Sequence, residues 1–172
     1  AGADRPVLRH RNPLRQQGQM TDTIFALATA PGRAGVAVIR VSGPLAFAVV
    51  ARGVTGMPEP RVACLRGIVD PRTGETLDQG LVLAFPGPAS FTGEDVVELQ
   101  VHGSLAVTRA VGDWLVSEPG VRLAEPGEFT RRALMNGRVG LGEVEGLADL
   151  LASETASQRR AALAVMQGAL SR

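Results

Sequence analysis

The chain has 172 residues and a formal net charge of +1, and its 18 basic residues, all Arg, stand against 17 acids. A single Cys excludes a disulfide framework and a Cys-based zinc or iron–sulfur centre, and the near-zero charge gives no support to a protein that binds chiefly a phosphate backbone. The 45% hydrophobic content is that of a globular protein, while the longest apolar run, Leu45 to Ala51, is far shorter than the roughly 20 residues a membrane helix needs.

Residues 1–19 carry Arg5, Arg9, Arg11 and Arg15 with one acid and no apolar periodicity. They read as a disordered leader or an upstream extension, without the apolar stretch of a secretory signal. Setting them aside leaves 14 Arg against 16 acids, which weakens a nucleic-acid role for the remainder further.

Thr23 to Ala30 reads as a strand that Pro31-Gly32 breaks, and Val36 to Val41 as a second, almost wholly apolar strand. Ser42-Gly43-Pro44 predicts a helix start, with Ser42 or Gly43 as cap and a run to about Gly53. Val62 to Val69 and Leu77 to Phe85 flank Asp70-Pro71-Arg72-Thr73-Gly74-Glu75, a hairpin pattern. A Gly/Pro-rich loop, Pro86 to Asp95, leads into an alternating strand in which Val97, Leu99 and Val101 share one face and Glu98, Gln100 and His102 the other. A helix from about Leu105 to Val116 precedes a short strand, Val121 to Ala124. Pro126-Gly127-Glu128 opens a helix that stops at Gly137. Leu141 to Leu170 has helical spacing, as one helix or two, with Val144, Leu147, Leu151, Leu163 and Met166 facing a neighbour. The order predicts an α+β domain built on a mixed sheet, with a helical tail.

Without Lys, a Walker-type phosphate loop is impossible, and Pro31-Gly32-Arg33-Ala34-Gly35-Val36 lacks the dinucleotide spacing and enters a strand. His10 and His102 are the only histidines, too few for a His-based metal centre, and no metal site is expected. Cys64 reads as a buried, inert thiol. Glu98 is the most informative residue, a carboxylate within an apolar strand just after a long loop. It either faces solvent or accepts from a planar N–H/NH2 edge such as a pterin or guanine offers. Arg40 closes an apolar strand, where a charge needs a partner; it either pairs with a neighbouring acid or binds a ligand carboxylate or carbonyl. Arg138 follows a helix C-terminus and either complements its dipole or reaches into a site. Arg131-Arg132 and Arg159-Arg160 read as solvated helix faces.

Three segments go further: Thr21 to Gly43 (TDTIFALATAPGRAGVAVIRVSG), Leu77 to Gly103 (LDQGLVLAFPGPASFTGEDVVELQVHG) and Pro126 to Leu150 (PGEFTRRALMNGRVGLGEVEGLADL). In this order and spacing they resemble the N-terminal region of the MnmE (TrmE) family of tRNA-modification GTPases. The resemblance places the native start at Met20, a tetrahydrofolate-binding, dimerisation domain at 20–139, and the start of a helical domain at 140–172. It implies a fold similar to the tetrahydrofolate-binding domains of one-carbon transfer enzymes. The cofactor it implies is a tetrahydrofolate derivative (5-formyl- or 5,10-methylene-tetrahydrofolate). Carried over by motif, the folate contacts fall on Arg40, Glu98 and Arg138. The family usually has Lys at the third position, then Leu or Met, then Asp, where this chain has Arg138, Val139 and Gly140. The family's G domain, with its GTP, magnesium and potassium, and its Cys motif lie outside these residues. No catalytic residue is therefore expected here, and GTP hydrolysis belongs to the full-length parent. The implied partners are a second copy, the FAD-containing MnmG (GidA) and tRNA as substrate, in the cytoplasm and away from any membrane. Two alternatives remain open: a structural dimerisation domain with a decayed folate pocket, and a standalone aminomethyltransferase-like folate enzyme.

Overall fold

A computed structural model describes residues 22–170 of the chain, so the leader at 1–19 and the start at Met20 lie outside the described residues. Six strands form one mixed sheet: β1 (Thr23–Leu27), β2 (Ala34–Ser42), β3 (Cys64–Val69), β4 (Thr76–Phe85), β5 (Val96–Gly103) and β6 (Val121–Leu123). Their spatial order is β3-β4-β5-β2-β1-β6, with β1 and β6 parallel and every other neighbouring pair antiparallel. Five helices accompany them: α1 (Ala46–Gly53), α2 (Leu105–Ser117), α3 (Glu128–Met135), α4 (Leu141–Leu151) and α5 (Ala156–Leu170). The α+β reading of the sequence is therefore correct.

Strand alternation sorts the sheet into two faces. Ile39, Val41, Val97, Leu99 and Val101 point to one side and form the core with Val49 and Val50 of α1 and Val111, Trp114 and Leu115 of α2. Trp114 is fully buried, and a Cβ at Gly53 would lie 2.2 Å from its ring, so only glycine lets α1 approach the indole this closely. The opposite side carries Arg40 and Glu98, and the Phe129 ring of α3 lies against that side near Arg40.

Several boundaries differ from the sequence reading for identifiable reasons. β1 stops at Leu27: Ala28 N still donates to Val38 O at 2.7 Å, but the next bond goes to a side chain, Val38 N to Thr29 Oγ1 at 3.2 Å. β3 begins at Cys64, not Val62, because Arg61 takes a left-handed φ of 64° and Val62 N turns back to Glu59 O. Ser42 belongs to β2 and does not cap α1. Thr23 Oγ1 accepts instead from Leu45 N at 2.8 Å. Gly43 has φ 139°, and a Cβ there would strike Thr23 at 2.6 Å. For α2, Ser104 Oγ accepts from Val107 N at 3.1 Å, an ordinary N-cap. Gly137, at φ 67°, ends α3 as expected, with Arg138 N donating to Ala133 O at 2.8 Å.

The tail is two helices, α4 and α5, packed at Gly146, where a Cβ would meet Met166 at 2.7 Å. Leu151 is 80% exposed, so it does not join that seam as expected. Cys64 is half-buried at the start of β3, not enclosed. No described helix is long and apolar enough to cross a membrane.

Candidate functional site

Arg40 and Glu98 are directly opposed in the β2–β5 register, which places both side chains on the face away from the core. Arg40 donates twice to one carboxylate oxygen, Nε to Glu98 Oε1 at 3.2 Å and Nη2 to Oε1 at 2.8 Å. The pair is only partly exposed, at 26% and 19%. Two aromatic rings flank the guanidinium: Phe91 at 5.5 Å and Phe129 at 5.8 Å, centroid to Cζ. Both donors converge on Oε1, which leaves Oε2 of Glu98 for another donor. A carboxylate held by a fixed cation between two rings is a plausible seat for a flat heterocycle with an N–H edge.

Arg138 follows the end of α3 and lies against the 86–95 loop. Its Nε donates to Ser90 O at 3.1 Å, so it does not serve mainly as a counter-charge to the α3 carbonyls. It borders a cavity of about 380 Å³ whose walls include Arg61, Phe85, Ser90, Phe91 and Val139. Phe91 is common to both places: one contact is with Arg40, another with the cavity. The structure therefore joins Arg40 to Glu98 directly and connects Arg138 to them only through the 86–95 loop.

That loop is held by a buried ionic network centred on Arg132, which the sequence reading placed on a solvated helix face. Arg132 is 1% exposed. Its Nη1 donates to Asp22 O at 2.9 Å and to both Glu94 oxygens at 3.0 and 3.1 Å. Nη2 donates to Asp22 Oδ1 at 2.8 Å and to Glu128 Oε1 at 3.2 Å. Glu94 accepts in turn from Ser42 Oγ at 2.7 Å. With its single proton so used, Ser42 must accept from Thr92 Oγ1 at 2.7 Å. Asn136 Nδ2 donates to Thr92 O at 2.6 Å. At Gly93 a Cβ would press on Asn136 at 3.0 Å and Arg138 at 3.1 Å, so the loop lies tight against the end of α3. The signal for Arg132 was its spacing, four residues after Glu128. Arg131 and Arg159-Arg160 are exposed as expected.

Arg122 completes the network, reaching Glu128 at 2.5 and 2.9 Å and Asp22 at 2.5 Å. The hydrogen bond from Arg122 is the largest influence on Glu128; it outweighs burial and, with Glu125 N and Arg132, brings the carboxyl down to about 2. Burial pushes Asp22 up, but Arg122 and Arg132 together hold it below the usual range. A carboxyl depressed on folding stabilises the fold above its unfolded pKa, near 4.5, and that contribution is lost as pH falls toward 2. For a side chain with no exposed surface the loss is roughly 3 kcal/mol. Urea midpoints should therefore fall between pH 4.5 and 2, and Glu128→Gln should flatten that slope. An unchanged slope in the variant would disprove the assignment.

His102 lies on the exposed end of β5, with Nδ1 2.9 Å from Asp78 Oδ1. Burial raises the Asp78 carboxyl, but bonds from His102 outweigh this and keep it low. Among the described residues no three His, Cys, Asp or Glu side chains gather in a way that could hold a metal.

The model of the family described as "GTP-binding protein TrmE N-terminus" matches residues 23–138. The chain belongs to this family. The tRNA modification GTPase MnmE of Roseobacter denitrificans is 56% identical over 149 residues, covering 87% of this chain and 35% of that protein. That of Ruegeria pomeroyi is 58% identical over 150 residues, again 87% and 35%. The mitochondrial 5-taurinomethyluridine-[tRNA] synthase subunit GTPB3 of Danio rerio is 54% identical over 151 residues, 88% of this chain and 30% of its own length. The chain thus spans about a third of the length of the curated relatives it matches. Within the TrmE N-terminus match lie all three residues singled out from the sequence, Arg40, Glu98 and Arg138, together with Glu94, Arg122, Glu128 and Arg132 of the buried network.

Proposed function

We propose that this chain is the folate-binding, dimer-forming N-terminal module of a tRNA-modification GTPase. The observation that carries the reading is the Arg40–Glu98 pair, set between Phe91 and Phe129 in a TrmE N-terminus chain. Glu98 takes the N–H/NH2 edge of the pterin through its remaining oxygen, Arg40 orients that carboxylate, and the rings cover the heterocycle. Arg138, beyond the end of α3 and against the 86–95 loop, takes a polar group of the same ligand. The ligand is a one-carbon tetrahydrofolate, 5-formyl or 5,10-methylene, and supplies a carbon unit; the residues here bind and orient it.

On this reading residues 20–139 form the folate and dimerisation domain, and 140–172 begin a helical domain. A whole protein of the relatives' length would add GTP hydrolysis with magnesium and potassium, and would act in the cytoplasm. With MnmG it would modify carbon 5 of the wobble uridine of tRNA. This chain by itself binds and dimerises and does not turn over.

Calorimetry with 5-formyltetrahydrofolate tests the site. A hydrogen bond to a charged group contributes about 1.5–3 kcal/mol, so Glu98→Ala should weaken binding by about tenfold or more. Binding unchanged by both Glu98→Ala and Arg40→Ala refutes the residue assignment. No detectable folate binding by a chain that sediments as a dimer favours the structural alternative, to which the Arg138-Val139-Gly140 departure lends support.

A further inference from the structure

The cavity between the 86–95 loop and Arg61 has a feature that the Arg40–Glu98 pair does not use. Two guanidinium groups, Arg61 and Arg138, border it, and neither forms an ion pair with an acid among the described residues. Their bonds go to backbone carbonyls instead. Arg61 donates to Ala89 O, and Arg138 donates to Ser90 O, the next carbonyl along. Each guanidinium keeps further N–H groups beyond these bonds. Every other Arg of the sheet and α3 that approaches the site is neutralised: Arg40 by Glu98, Arg122 and Arg132 by Asp22 and Glu128. Two unneutralised cations on one concave wall form an anion site.

Arg61 is also held there at a conformational cost. It is the only non-glycine residue with positive φ among the described residues, at 64°, and its N donates to Ala84 O at 2.9 Å. Strain of this kind collects where a side chain must be aimed. The guanidinium stacks over Phe85 at 5.6 Å, so its stem and plane are fixed while its outer edge faces the cavity.

The site is continuous with the candidate ring site. Leu83 is the direct partner of Glu98 across β4–β5, which makes Phe85 its diagonal neighbour on the same face, about 7–8 Å away. Phe91 is the wall between them. A ligand whose ring lies on Glu98 would run past Phe91 and Phe85 and end at two cations. That order of groups, a planar ring, an apolar aromatic middle and an end bearing several carboxylates, is the order along a folate with an oligo-γ-glutamate tail.

We infer that Arg61 and Arg138 form the subsite for the carboxylates of that tail, so that the ligand bound is the poly-γ-glutamylated form. This rests on the folate reading above. Each added glutamate brings a carboxylate within reach of the Arg61–Arg138 edge, and the two planar forks donate to two carboxylates at once.

The test is a titration of the 172-residue chain with 5-formyltetrahydrofolate as the monoglutamate and as the pentaglutamate, at low and at raised salt. The pentaglutamate should bind about tenfold more tightly, and that advantage should shrink as salt rises. Arg61→Gln, at an exposed position, should abolish the advantage, so that the two forms bind within about threefold of each other. Equal affinity for the two forms in the unaltered chain overturns the tail subsite while leaving the ring site standing. A length preference that survives in Arg61→Gln overturns the role of Arg61. Failure to bind either form overturns both readings.

Discussion

Replacing Arg132 with Met should destabilise the fold by about 3–5 kcal/mol, the usual cost of removing one partner from a buried ionic cluster. Arg132 has no exposed surface and is the shared donor to Asp22, Glu94 and Glu128. Its removal leaves Glu128, fully buried, with Arg122 as its remaining close cation and Arg131 at 3.8 Å, and leaves Glu94 without an Arg. Desolvated carboxylates that lose a counter-charge are penalised far more than exposed ones. The strand end, the loop and α3 meet at this one side chain, so the loss should also reach the ring site: Phe91 and Phe129 come from the two segments it ties together. Urea denaturation should show the midpoint falling with an unchanged slope. Adding Glu94→Gln to the variant should recover part of the loss, because the carboxylate left without an Arg is then gone. A loss below about 1 kcal/mol would place Arg132 among surface charges after all.

Trp114→Ala should cost a similar amount, about 3–5 kcal/mol, by a different route. The indole is fully buried in the core between α1 and α2 and lies directly against Gly53. Truncation opens a cavity that α1 cannot close without pulling away from the sheet. It also removes a polar contact: Trp114 Nε1 donates to Glu118 Oε1 at 3.0 Å, and Glu118, itself buried, is otherwise bound by Arg52. Thermal melting should drop by roughly 10 °C, at a few degrees per kcal/mol for a domain of this size. Trp114→Phe, which keeps a six-membered ring and loses the pyrrole part of the indole with its N–H, should lose distinctly less. Equal losses for the two variants would mean that the hydrogen bond, not the volume, matters here.

These two residues show how unevenly the molecule could be read from its sequence. Trp114 falls within the helix predicted from about Leu105 to Val116, while its burial and its partner Glu118 were not assigned from the sequence. Arg132 stood beside Arg131 in a helix that opens with Glu and looked like half of a solvated pair. Nothing local distinguishes the two arginines; one is 48% exposed and the other not at all, because α3 returns to the start of β1 and the 86–95 loop. The candidate site divides in the same way. Glu98 and Arg40 were conspicuous as charges inside apolar strands, whereas Phe91, Phe129 and Arg61 gave no sign of a common location. They come from a loop, a helix and a turn far apart in the chain.

What the sequence by itself determined is therefore what short-range periodicity controls. The two-residue alternation of β5 put Glu98 on the face opposite Leu99, the turn at Asp70–Glu75 paired β3 with β4, and Gly137 ended α3. The tertiary structure alone decided which of the other strands became neighbours. The order β3-β4-β5-β2-β1-β6 brings β2 beside β5, fifty-eight residues apart at Arg40 and Glu98, and so turns two isolated charges into a pair. The physical reason is that side-chain direction follows from each residue's own backbone, while neutralisation, burial and the shape of a cavity depend on groups that only long-range register brings together.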